Sequence, residues 1–273
     1  MNRNGIITTN SILDEFVAVN TELLARAERK FSFTRLLEKC DQIIISNSFL
    51  QSLNAKKKQG QLALIAEIKK ASPALGEINI GVDIVKQAKM YEAAGASCIS
   101  VLTQTYKFQG LLADLAQVTK AVSIPVLCKD FTISTYQILE AKLNGALAIL
   151  LIVAMLSDEL LVELYQFAYQ QGLDVIVEVH TPEELSRAER LQPKILGVNS
   201  RNLKNMTIDL RYGLNLLSQI SIDTFKLAES GINNETDAKA SKLAGANGIL
   251  VGGAIMKSAE PSAFIKKLLA NYD

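Results

Sequence analysis

The run LALIAEIKKASP, residues 62–73, ends an apolar stretch with charge. A β-strand alternates its faces with period two, so Ile65, Glu67 and Lys69 point the same way. If Ile65 faces a core, a carboxylate and an ammonium close that core, a costly arrangement unless the charges are paired or used. The same pattern recurs along the chain. IPVLCK ends in Lys129, DVIVEVH carries Glu178, ILGVNSRN carries Asn199 and Arg201, and KLAES ends in Glu229 and Ser230. Parity pairs Glu178 with Ile176, Asn199 with Arg201, and Glu229 with Leu227. One strand-end charge reads as a solvated loop residue. Glu67, Lys69, Lys129, Glu178 and Glu229 at the same end of successive strands read as a converging set. Opposed lysines and glutamates in a half-buried mouth shift one another's protonation and serve as acid and base.

A second signal lies in the last two units. ESGIN and VGG place Gly231, Gly252 and Gly253 where backbone N–H groups can approach an anion, although glycine there is also ordinary turn chemistry. His180, the only histidine, follows Glu178 in an expected loop and reads as a solvated group near the site rather than a catalyst. Phe108 follows the run 98–102 and Phe131 the run that ends in Lys129, either as loop packing or as a clamp for a flat ring.

The elements that must position these residues have a regular rhythm. Apolar runs at 62–68, 98–102, 124–128, 147–153, 174–179, 195–199, 225–228 and 248–252 are each followed by a polar break and a helical pattern. Ser, Thr or Asp often opens the helices and Gly closes several of them. Runs rich in Ile, Val, Leu and Ala imply parallel strands buried on both faces. Eight such units predict a single (βα)8 barrel of the α/β class, with chemistry at the C-terminal strand ends. An open doubly wound sheet is the alternative. Residues 1–47 precede the barrel, which occupies 48–273, so the whole of 1–273 reads as one domain. SILDEFVAVNTELLARAER predicts a helix capped by Ser11, with Ile12, Leu13, Phe16, Val17, Leu23 and Leu24 on its apolar face. That extension is expected to pack near the barrel mouth, as a buttress or as a lid.

Composition narrows the class further. The 273 residues carry 29 basic against 28 acidic side chains, a net charge of +1 that gives no footprint for nucleic acid or an anionic membrane. The one dense basic patch, Lys56–Lys58, reads as a solvated loop. The widely spaced Cys40, Cys98 and Cys128 suit a reducing cytoplasm, and with a lone histidine no metal site is expected. The N-terminus lacks a signal-peptide core, and the longest apolar run, Ala146 to Leu156, is too short to span a bilayer.

The ordered motifs IAEIKKASPALG, SVLTQTYKFQG, IPVLCKDF, ILLIVAML, VEVH, GVNSRNLK, AESGI and ILVGGAIM resemble the successive signatures of the indole-3-glycerol phosphate synthase family. The resemblance runs from about residue 62 to 257, and a helical N-terminal extension is typical of the family. It implies ring closure, decarboxylation and dehydration of 1-(2-carboxyphenylamino)-1-deoxyribulose 5-phosphate in tryptophan biosynthesis. It implies no cofactor and a small phosphorylated substrate; composition predicts a cytoplasmic chain, and a monomer is expected, with the oligomeric state left open by the sequence. It gives no reading on association with other enzymes of that pathway. By motif, Lys129 would be the general acid of ring closure, and Glu178 would stabilise the cationic intermediate and share in dehydration. Glu67 and Lys69 would form the other acid–base pair. Asn199, Arg201 and Glu229 would position substrate hydroxyls and carboxylate, and Ser72 of the Ser-Pro motif would contact substrate. Ser230, Gly231, Leu250, Gly252 and Gly253 would line the phosphate end, with Phe108 and Phe131 bracketing the aromatic ring. Four positions depart from the family pattern: Ala74, Gln104, Leu111 and Gly253. Two rivals stay open, another phosphate-handling barrel and a catalytically silent barrel that binds without turnover.

Overall fold

The computed structural model describes residues 5–73, 76–78 and 81–270; Ala74 lies outside the described residues. The apolar runs form parallel barrel strands, β1 Ala63–Ile68, β2 Cys98–Leu102, β3 Val126–Lys129, β4 Ala148–Ile152, β5 Asp174–Val179, β6 Ile195–Asn199, β7 Phe225–Glu229 and β8 Gly248–Val251. Each pairs with the next, and β8 closes on β1 in the register Ala63 to Gly248 through Ala66 to Val251. That last ladder rules out the open sheet, because a doubly wound sheet keeps two free edges. Strands β1, β2, β4, β5 and β8 are buried along their whole length. This explains their β-branched and leucine runs: one face packs the barrel interior and the other meets the surrounding helices.

The helices are α1 Ile12–Lys30, α2 Phe33–Asp41, α3 Phe49–Lys58, α4 Ile84–Ala93, α5 Leu112–Ala121, α6 Thr135–Leu143, α7 Asp158–Gln170, α8 Pro182–Leu191, α9 Leu210–Ser218, α10 Glu235–Leu243, α11 Gly253–Lys257 and α12 Pro261–Leu268. Ser11 caps α1 by accepting from the Leu13 N–H, and Thr181 and Asn234 cap α8 and α10 in the same way. Helix α5 starts differently. Leu111 has no capping oxygen, and Asp114 three residues on accepts its N–H at 3.1 Å and an ion pair from Lys70 at 2.6 Å.

Two expectations need correction. Lys56–Lys58 do not lie in a loop; they form the last turn of α3, where three ammonium groups suit the negative end of the helix dipole. Helix α3 escapes the apolar count because it buries only Phe49 and Leu53, against β1 and β2. On α1, Leu23 is exposed, and the buried stripe is Leu13, Phe16, Asn20 and Leu24. Asn20 belongs there because its Nδ2 donates to the Phe131 carbonyl at 2.7 Å and its Oδ1 accepts from Gln104 at 2.7 Å. These bonds pin α1 to the loops after β2 and β3, beside the C-terminal mouth of the barrel. After β1 the chain adds a small antiparallel hairpin, Ala71–Ser72 with Gly76–Glu77. Among the described residues no helix is long and apolar enough to cross a membrane.

Candidate active site

A cavity of about 460 Å³ opens at the C-terminal ends of the strands. Glu67, Lys69, Ser72, Phe108, Lys129, Phe131, Glu178, Asn199, Arg201, Glu229, Ser230, Gly231, Leu250, Gly252 and Gly253, every candidate drawn from the sequence, line it. The fold explains the convergence: each charged residue ends a strand whose upstream neighbours are locked into the barrel, so their side chains share one floor.

Lys129 is the hub of that floor. Its Nζ lies 3.1 Å from Glu229 Oε2 and 3.3 Å from Glu178 Oε2. Lys69 Nζ sits 2.5 Å from Glu67 Oε1. The three carboxylate residues are 1–3% exposed, so bulk water does not screen them. Burial opposes charge on Lys129, but Glu229, Glu178 and Glu67 outweigh it and hold the ammonium well above its ordinary range. Burial also favours a neutral Glu178, yet Lys129 and His180 hold that carboxyl well below the usual carboxylate range. Glu229 goes the other way: burial and the neighbouring Glu178 charge overcome the pull of Lys129 and raise it. Two chemically identical side chains on one lysine therefore take opposite protonation preferences, the condition for separate acid and base roles.

Two glycines make room for these carboxylates, and only Gly252 was anticipated, as an anion contact. A Cβ on Gly252 would stand 2.3 Å from Glu67 Oε1, and one on Gly197 would stand 2.3 Å from Glu229 Oε1. Gly197 lies in mid-strand, and nothing in its sequence neighbourhood marks a carboxylate arriving from the next strand.

The structure corrects the expectation for His180. It is 7% exposed, not solvated. Its Nε2 lies 3.3 Å from Glu178 Oε1 and its Nδ1 lies 3.2 Å from Glu184 Oε2. Burial works against the imidazolium, but these two carboxylates prevail and push its pKa up to about 9. Sequence spacing alone does not reveal this, because Glu184 arrives from the first turn of α8.

The aromatic expectation also changes. Phe108 and Phe131 have ring centroids 6.1 Å apart with planes tilted by 41°. A flat ring held between two parallel faces needs about 7 Å, twice the ~3.5 Å contact distance. Instead Phe16 of α1, a residue not singled out for the site, stacks on Phe131 at 4.0 Å and 7°. Phe16, Ile12 and Leu13 also line the cavity. At the opposite wall, Ser230 and Gly231 take left-handed backbone in succession, with φ of 64° and 83°. A serine held there is the kind of local strain that clusters at ligand sites. Asn199 Oδ1 accepts the Arg201 N–H at 3.1 Å, and the guanidinium donates to the Met206 carbonyl at 3.1 Å.

Of the departures, Gly253 lines this cavity, whereas Gln104 and Leu111 line a second cavity of about 250 Å³ behind Asp130. Gln104 is a structural tie: it donates to Asn20 and accepts from the Tyr106 N–H at 3.0 Å. Among the described residues no group of three or more His, Cys, Asp or Glu could hold a metal ion.

A closed (βα)8 barrel with a buried lysine–carboxylate cluster at its catalytic mouth defines the class: a barrel of the acid–base type. Comparison with known proteins gives the particular one. The family model for indole-3-glycerol phosphate synthase matches residues 13–268. The indole-3-glycerol phosphate synthase of Exiguobacterium sibiricum is 51% identical over 216 residues, covering 79% of this chain and 84% of the relative. That of Oceanobacillus iheyensis is 46% identical over 239 residues, covering 87% of this chain and 88% of the relative. The chain belongs to the indole-3-glycerol phosphate synthase family. Among solved structures, a 3-hexulose-6-phosphate synthase superimposes with a TM-score of 0.62 at 19% identity, over 76% of this chain and 98% of that one, a likeness of fold.

Proposed function

We propose that the chain converts 1-(2-carboxyphenylamino)-1-deoxyribulose 5-phosphate to indole-3-glycerol phosphate, releasing CO2 and water. The observation that carries the reading is Lys129 Nζ on the cavity floor between Glu178 and Glu229, with the Glu67–Lys69 pair on the same floor. Ring closure joins the aromatic carbon that bears the carboxylate to the ketone carbon, and Lys129 gives its proton to the developing alkoxide. The carboxylate then leaves as CO2 and its electron pair restores the ring. Dehydration removes one proton from carbon and returns one to the departing hydroxyl, so one proton is taken up from solvent over the whole cycle. Glu178, held as a carboxylate, suits the proton-accepting role, and the Glu67–Lys69 pair supplies the second acid–base couple. Arg201, Asn199 and Glu229 orient the hydroxyls and carboxylate of the substrate, with Ser72 a further contact.

Ser230, Gly231, Leu250, Gly252 and Gly253 form the phosphate end, where barrels of this kind commonly take phosphate. Lys257 lines the same wall and adds a cation to that end. Phe108 and Phe131 meet the aromatic ring together with Phe16, which must yield its place on Phe131 for a ring to stack there. The reading extends to one domain over 1–273 and to a cytoplasmic monomer. Three free cysteines, all buried, suit that compartment, and light scattering tests the oligomeric state.

The experiment is turnover of the carboxyphenylamino sugar phosphate followed by indole fluorescence. With no Trp in the chain, product rises against a tyrosine background. Binding without an indole signal would mean a silent barrel; neither binding nor signal would overturn the substrate.

A further inference from the structure

Lys129 does not by itself decide which of its two carboxylates is the base. Its Nζ is slightly nearer Glu229, at 3.1 Å, than Glu178, at 3.3 Å, so on distance alone Glu229 would be the better-held anion. What breaks the near-symmetry is His180. The ring stands between two carboxylates, Glu178 on one nitrogen and Glu184 on the other. Carboxylates only accept, so both ring nitrogens are best used as donors, which requires the doubly protonated imidazole. Glu229 has no such helper: its Oε1 is buried without a hydrogen-bond partner, against Gly197.

We propose that His180 is a positioning residue of this site: as an imidazolium anchored by Glu184, it grips Oε1 of Glu178 and makes Glu178, not Glu229, the carboxylate that accepts protons from substrate. This rests on the reaction proposed above. The anchor is built by the start of α8. Thr181 caps the helix by accepting the Glu184 N–H at 3.3 Å, and Glu184 Oε2 reaches back to accept the His180 N–H at 2.8 Å. This reciprocal capping fixes the Glu184 carboxylate, and the carboxylate fixes the ring. The Nε2 contact with Glu178 is an ion-pair distance without hydrogen-bond alignment, so a small rotation on substrate closure is enough to tighten it. The charged groups facing the ring are Glu178 from β5 and Glu184 from α8; behind Glu178 stand Lys129 of β3 and Glu229 of β7.

The chain has one histidine, so ring protonation can be followed by nitrogen-15 NMR without assignment. In the wild type without substrate, the ring is expected to keep both protons beyond pH 8, in line with a value near 9. Glu184→Gln keeps an acceptor for the His180 N–H and removes the anchoring charge. It should lower the imidazole midpoint by about one pH unit or more. His180→Asn, which carries no charge at any pH, should move the acid limb of kcat upward by about half a unit or more, with KM within about two-fold, because a merely structural contact leaves that limb in place. His180→Ala should shift the limb the same way and lower kcat by about ten-fold or more. If His180→Ala does not fold, His180→Asn still decides. A wild-type ring that titrates near the ordinary 6.5, an imidazole midpoint unmoved in Glu184→Gln, or an acid limb unmoved in His180→Asn overturns the proposal. Absence of turnover in the wild type overturns the proposed reaction alone, because the imidazole midpoint is read without substrate.

Discussion

Replacing Lys129 with Met tests the centre of the reasoning, since it keeps an unbranched side chain and removes the proton. The structure sets two magnitudes. Loss of the ammonium strands Glu178 and Glu229, whose Oε2 atoms lie 3.3 and 3.1 Å from it. Removing one partner of a buried ion pair costs about 3–5 kcal/mol. Here the lower end applies, because Glu229 already favours its proton and Glu178 keeps His180. Without Lys129 the Glu178 carboxyl, held well below the usual range in the wild type, rises, and Glu229, already raised, rises further. A carboxyl lowered in the fold contributes stability that is present above its unfolded value and lost as pH falls through the folded one. The variant gives up much of that Glu178 contribution, so its stability deficit should be full at neutral pH and shrink as pH falls below about 5, as followed by urea melts. The chemical loss is separate. A general acid contributes about 10²–10⁴-fold, or about 3–5 kcal/mol of barrier. We expect kcat to fall by at least ~100-fold in indole fluorescence at a pH where melts show the variant folded. A folded variant within about ten-fold of wild-type kcat would refute Lys129 as the acid. A raised KM with kcat unchanged would make it a binding group instead.

Glu178→Gln preserves shape and should also lose at least ~100-fold in kcat; a near-wild-type rate would remove Glu178 from the proton transfers. Gly252→Ala places a methyl 2.3 Å from Glu67 Oε1 and 3.0 Å from its Cβ. A displacement of about 1 Å can cost ~100-fold, so a kcat unchanged in this variant would deny Glu67 a role. Phe16→Ala removes a buried ring stacked on Phe131 and should cost about 3–5 kcal/mol in denaturant melts. No loss would show that α1 is not held by that stack. For His180 the folded value, about 9, lies above the ordinary 6.5. Its contribution is thus fully present below pH 6.5 and lost as pH rises through 9. At about 1.4 kcal/mol per pH unit it amounts to about 3 kcal/mol, and melts of His180→Asn and wild type should converge by pH 10 if the sign is right.

What could be read from the chain follows from the range of the forces involved. The strand runs and helix starts are local signals, and the observed strands fall within two or three residues of the apolar runs. Parity could aim Glu67, Glu178 and Glu229 at one floor because alternation is a property of a single strand. Features that depend on two elements meeting were not legible. Asn20 looks like an error on an apolar face until Gln104 and Phe131 arrive beside it. Gly197 looks like a weak point in β6 until Glu229 of the adjacent strand fills the space a Cβ would take. His180 looks solvated because its sequence neighbours are polar; only the turn into α8 brings Glu184 onto the ring and shuts water out. The unread residues share a cause. Each is a polar group or a vacancy that is costly on its own strand or helix and favourable only through a partner on another, so the barrel must close before its logic exists. The catalytic charges are the exception: they break the local rule at the strand ends, where an apolar residue would serve the core better, and that violation is visible without the fold.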